Sequence, residues 1–135
     1  MSEMRSMQLQ AWEKVGELTA EKIQLVREDV VRGLLQATIF LNDDTTEYGY
    51  ACINGEPIPD KLLRIISLHP NMPHEIVLTS DGYPQVKQSL AEAEQCLMDV
   101  CRTDPHCYKI YKSTKGIQDG CTSFDDRAYI KFFTE

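Results

Sequence analysis

Residues 75–84 read EIVLTSDGYP, and residues 123–132 read SFDDRAYIKF. The first stretch is an apolar run bounded by Ser80-Asp81-Gly82, the pattern of a buried strand that delivers a carboxylate at its C-terminal end. Gly82 follows at once and lets the backbone turn sharply, because it carries no Cβ to clash. In the second stretch Asp125 and Asp126 stand just before an apolar run, 128–133, that reads as a closing strand. If the two strands are antiparallel neighbours, Asp81 and Asp125 meet at one edge of the sheet. Asp126 then points elsewhere, since successive residues near a strand face opposite sides. Two carboxylates held close are costly unless a cation or a proton joins them. Mg²⁺ or Mn²⁺ is the kind of hard ion that suits oxygen ligands and keeps several waters. The plainer reading of both stretches is a pair of solvated turns, and spacing alone leaves the two readings open.

Outward from these strands the chain alternates helical and extended patterns. Ser89 followed by Glu92 forms a capping box, and Leu90, Ala93, Leu97, Val100 and Cys101 then share one helical face. Asp104-Pro105 interrupts that helix, and a short helix is expected over 106–112. Residues 114–122 read as a loop. Toward the N-terminus, Met7, Ala11, Trp12, Val15 and Leu18 mark a helix within 1–18. Thr19 caps a second helix that runs to about residue 41. Residues 48–53 read as a strand followed by an Asn54-Gly55 turn. Pro57 and Pro59 keep the next segment extended. Residues 62–68 fit either a strand or a short helix, and 69–74 read as a turn. The expected fold is α/β of the α+β type: a mainly antiparallel sheet of about four strands packed by helices. It forms a single domain over 1–135, with a helical segment at 1–42.

Composition narrows the function. The 135 residues carry a net charge of −7 and no lysine or arginine cluster. Such a surface repels phosphate backbones and anionic lipid, which argues against nucleic-acid and membrane partners. No segment approaches the ~18 apolar residues of a membrane span, and the first residues show no apolar core of a leader peptide. A cytoplasmic location is expected. The five cysteines are odd in number and read as reduced thiols. Zinc spacing is missing, and the adjacent His106-Cys107 side chains diverge too far on a helix to act as base and nucleophile. The order of a phosphate-binding loop is also missing around Lys112 to Gly116.

The ordered pair IVLTSDGY and SFDDRAYIKF resembles the late motifs of the metal-dependent type-2C protein serine/threonine phosphatases. The segment VRGLLQATIFLNDDTTEYGYACINGEPIP is similar to bacterial members. The resemblance covers the last three-quarters of the chain, with 43–135 as the phosphatase-like C-terminal half. It implies an α-β-β-α sandwich, Asp81 and Asp125 as ligands of Mg²⁺ or Mn²⁺, and hydrolysis of phosphoserine or phosphothreonine. The family's early Asp-Gly motifs and its phosphate-gripping arginine have no counterpart here, and Ala128 stands where Thr is common. The resemblance therefore implies half of an active site. The alternative is a non-catalytic interaction or regulatory module derived from that fold. Either way, a half-sheet should self-associate or bind a protein partner that covers it.

Overall fold

A computed structural model of the chain describes residues 1–69 and 72–134. Three helices and one antiparallel ribbon organise it: α1 (Ser2–Lys14), α2 (Ala20–Ala37), β1 (His74–Thr79), α3 (Leu90–Thr103) and β2 (Tyr129–Thr134). Single 3₁₀ turns occupy Thr38–Phe40 and Asp60–Leu62. The mixed helix-and-sheet class is as expected, and the ribbon joins the two strands from which the reading began.

Local chemistry explains the helices. The Thr19 hydroxyl accepts from the Lys22 amide and starts α2. Ser89 and Glu92 form the full reciprocal capping box at α3. Gly16 follows α1 at φ 74°, a left-handed conformation that suits glycine at the end of a helix. The apolar stripe of α3 is its buried face: Ala93, Leu97 and Val100 pack with Tyr83, Cys107 and Phe124. Leu9 of α1, Val26 of α2 and Tyr108 make a second, smaller cluster.

The sheet has two strands among the described residues, fewer than the four expected. The reason differs at each missing strand. At 48–53 the only pairing is an isolated bridge between Leu41 and Tyr50. There a side chain takes the role of a neighbouring strand. The Asn42 amide accepts from the Cys52 N–H at 2.8 Å and donates to the Cys52 carbonyl at 3.1 Å. At 62–68 the chain leaves its 3₁₀ turn and runs over the surface, with Ile65 and Ile66 exposed. The turn expected at 69–74 includes Pro70 and Asn71, which lie outside the described residues, and His74 belongs to β1.

The short helix expected over 106–112 is replaced by a turn built around one buried carboxylate. Asp104 accepts from the amides of Tyr108 at 3.2 Å, Lys109 at 2.7 Å and Ile110 at 2.8 Å. A helix would direct those N–H groups to carbonyls four residues back; here the side chain collects them. Cys107 reaches φ 48° to make the wrap. Arg5 of α1, also buried, closes it from outside. Its guanidinium donates to the carbonyls of His106 at 2.8 Å, Cys107 at 3.2 Å and Ser113 at 3.1 Å. No described helix is long and apolar enough to cross a membrane.

Leu97 is 2% exposed at the centre of the larger cluster, whereas Leu35 on α2 is 67% exposed. Leu97→Ala should cost ~2–5 kcal/mol of unfolding free energy by denaturant titration, and Leu35→Ala well under 1 kcal/mol. Equal costs at the two positions would mean that the core does not lie on this face of α3.

Candidate functional site

The ribbon pairs Thr79 with Tyr129 and His74 with Thr134. Pairing continues one residue past β1, where the Ser80 N–H donates to the Ala128 carbonyl at 3.1 Å and the Ala128 N–H donates to the Ser80 hydroxyl at 3.0 Å. The end of β1 and the residues before β2 therefore share one edge of the ribbon, and Asp81 and Asp125 both belong to it. Gly82 is buried directly beneath this crossing. A Cβ at that position would lie 2.2 Å from the Asp126 carbonyl oxygen and 2.9 Å from the Arg127 Cβ. Glycine is required here by close approach of two backbones, a stricter demand than the sharp turn read from the sequence.

Both acids act on a third group. The Tyr111 phenol is pushed above its ordinary pKa by burial first, then by the nearby Asp81, Cys107 and Asp125 side chains. Its hydroxyl donates to the Asp81 carbonyl at 3.4 Å, and its ring stacks at 5.3 Å on Phe124, the residue before Asp125. The Asp125 carboxylate is one-fifth exposed and holds its own cation. Lys115 Nζ lies 2.6 Å from each of its oxygens, and the Asp126 N–H donates to one of them at 3.0 Å. Asp126 is exposed, and its backbone carbonyl is what faces Ser80 and Gly82.

Beside the acids, Arg127 grips Glu94 of α3 through two nitrogens, at 2.9 and 3.2 Å, and Tyr83 donates to the same carboxylate at 2.5 Å. This triad ties the residues before β2 to the helix that carries the core. Lys115, Asp125, Arg127 and Arg27 line an open cleft of about 1020 Å³ between α2 and the 114–127 loop.

Among the described residues no group of three or more His, Cys, Asp or Glu side chains converges to hold a metal ion. At the ribbon edge the Asp125 carboxylate is paired with the Lys115 ammonium and the Asp81 backbone carbonyl accepts from Tyr111, a lining that does not by itself fit a metal ion. Sequence reasoning found the acids and Gly82 but missed Lys115, Tyr111, Glu94 and Arg127 as their partners. No local spacing announces contacts between residues as far apart as 94 and 127. Compared with known proteins, the chain matches no protein-family model, no curated protein and no solved structure.

Glu94 provides a pH test of the triad. Its carboxyl is held below the ordinary value of 4.5 by Arg127 first and Tyr83 second. A depressed folded-state pKa stabilises the fold above the unfolded value, and that stabilisation is lost as pH falls through the folded value. Glu94→Gln should lower the melting temperature at neutral pH and make it fall less steeply below about pH 4.5. Identical acid profiles for the two chains would remove the triad from the stability of the fold.

Proposed function

We propose that this chain is part of a metal-dependent phosphatase-like domain, with Asp81 and Asp125 as its two ligands for Mg²⁺ or Mn²⁺. Its activity would be hydrolysis of phosphoserine or phosphothreonine once the early motifs of such a domain complete the site. The observation that carries the reading is the antiparallel pairing that sets Asp81-Gly82 against Asp125-Asp126-Arg127 at one ribbon edge. Gly82 supports it, because the glycine has a backbone neighbour that forbids any side chain.

When bound, divalent ions in such sites activate water for attack on phosphorus and neutralise phosphate oxygens. The chain's own contribution is orientation. Asp125 is fixed by the Asp126 amide, and Tyr111 bridges toward Asp81 from the side of the core. The ribbon would belong to a larger antiparallel sheet of about four strands within a helix-flanked sandwich. The setting is cytoplasmic, a reading supported by five cysteines that are all unpaired.

Two carboxylates make a weak site, so the isolated chain should bind Mn²⁺ feebly and turn over little or no phosphopeptide. Calorimetric titration with Mn²⁺ should show a signal that Asp81→Asn and Asp125→Asn each largely abolish and Asp126→Asn leaves nearly intact. A signal indifferent to Asp81 and Asp125 would end the metal reading. Robust Mn²⁺-dependent turnover by the isolated chain would show instead that the site is complete.

A second reading, a non-catalytic interaction module, is favoured by a different observation. Ile76, Leu78, Ile130 and Phe132 share one face of the ribbon by register, and the last three are 42–57% exposed. An uncharged apolar face of this kind is a contact surface in waiting. It points to self-association or to a protein partner that covers the sheet. Light scattering over a concentration series should show mass above that of a monomer, returned to monomer by Phe132→Asp. Monomeric behaviour of the unsubstituted chain at all concentrations would defeat this second reading.

A further inference from the structure

We propose that the cavity between α1, the first turns of α2 and the 116–119 loop binds a phosphate dianion, free or carried by a small molecule, between the guanidinium groups of Arg5 and Arg27. The cavity holds about 370 Å³, enough for a phosphate group with a short organic tail. Arg5 and Gly116 form part of its wall, with Ala20, Arg27 and Asp119 around them. The proposal goes beyond the reading above and uses none of its metal ligands.

Arg5 carries more donors than its task in the fold needs. Its Nη1 serves the carbonyls of His106, Cys107 and Ser113. Its Nε is buried and has no partner among the described residues. Its Nη2 lies against Gly116, on the wall of the cavity, and no described residue accepts from it. The side chain is 2% exposed, so these donors are cut off from bulk water, and leaving them unmet costs free energy. Gly116 keeps the place open. A Cβ there would lie 3.1 Å from Nη2 and 2.9 Å from the His106 Cα, so any side chain would crowd the guanidinium.

The neighbours favour an anion. Arg27 is exposed, and no described carboxylate pairs with it. Ala20 opens α2; the Thr19 hydroxyl takes the Lys22 amide, and the amides of Ala20 and Glu21 have no acceptor among the described residues. An 18-residue helix therefore sets its positive end at the cavity. Asp119 is the opposing charge on the wall. Asp104, the carboxylate that acts on Arg5 from behind, already accepts from four amides. Two guanidinium groups and a helix N-terminus outweigh one exposed carboxylate, in a chain whose net charge is −7. A phosphate dianion balances both arginines and has oxygens enough for Nη2, Arg27 and an amide, whereas a carboxylate carries half the charge.

The probe is inorganic phosphate without divalent ions, titrated into the full chain and followed by proton–nitrogen NMR spectra. The Arg5 Nε–H and Ala20 amide signals should shift together and saturate. Arg27→Gln should weaken binding roughly tenfold, the scale of one charge-assisted hydrogen bond, and Arg27→Lys should lose less. Asp119→Asn should tighten it roughly two- to fivefold, and Lys131→Gln, a charge removed from the ribbon, should leave it unchanged. Phenyl phosphate separates the two sources: binding at least as tight as that of inorganic phosphate assigns a phosphorylated small molecule, and weaker binding assigns the free ion. Circular dichroism checks that each variant is folded; if Arg27→Gln is not, Asp119→Asn and the signals of the unsubstituted chain decide. Unmoved Arg5 and Ala20 signals, unchanged affinity in folded Arg27→Gln, or acetate binding as tightly as phosphate would each overturn the proposal. With no metal present, none of these outcomes bears on Asp81 and Asp125.

Discussion

The buried carboxylate of Asp104 is the interaction on which the rest of the structure hangs. It ends α3, gathers the amides of residues 108–111 and so bends the chain back across the core. That bend buries Cys107 and Tyr108, one in each hydrophobic cluster, and joins the two. It also presents carbonyls outward, which Arg5 collects, so α1 is held to the α3 side by this polar contact as well as by the packing of Leu9 on Tyr108. A buried carboxylate with several amide donors and a guanidinium nearby is a fully supplied anion; removing any one donor would leave charge unsolvated. Burial lowers the pKa of Arg5, and Cys107 first and Asp104 second oppose that shift.

The ribbon edge inherits its geometry from this bend. Tyr111 is the last of the amides that Asp104 holds, its ring meets Phe124, and its hydroxyl donates to the Asp81 carbonyl. A little further on, Lys115 reaches Asp125. The acids are thus met from the core side by groups that come from a loop, while the Glu94–Arg127 pair braces the same residues from α3. Pairs of this kind at half-exposed positions contribute little apiece to stability. Their work here is to fix which atoms face which.

Much of this was legible in the sequence where the determinants are local. The apolar run before Asp81, the Ser89–Glu92 box and the closing run before Phe133 each specify their element within a few residues, and each element forms as read. The strand expected at 48–53 failed for a reason that no propensity expresses. The side chain of Asn42, ten residues away, satisfies the Cys52 backbone and removes the need for a sheet neighbour. The helix expected at 106–112 failed because one aspartate outcompeted the helical carbonyls for four amides. At the candidate site the acids and Gly82 could be read, since strand ends announce themselves. Lys115, Tyr111 and the Glu94–Arg127 pair could not, because their partners are set by tertiary packing.

The long connection inside the ribbon has a consequence for how the chain is made. His74 and Thr134 are hydrogen-bonded across a separation of 60 residues. At ribosomal rates of about 5–20 residues per second, β1 would emerge roughly 3–12 s before its partner strand exists. During that interval an apolar strand has both edges open, while α3, whose signals are local, can already have formed. The nascent chain therefore passes through a stage in which β1 waits for residues 129–134 to be synthesised.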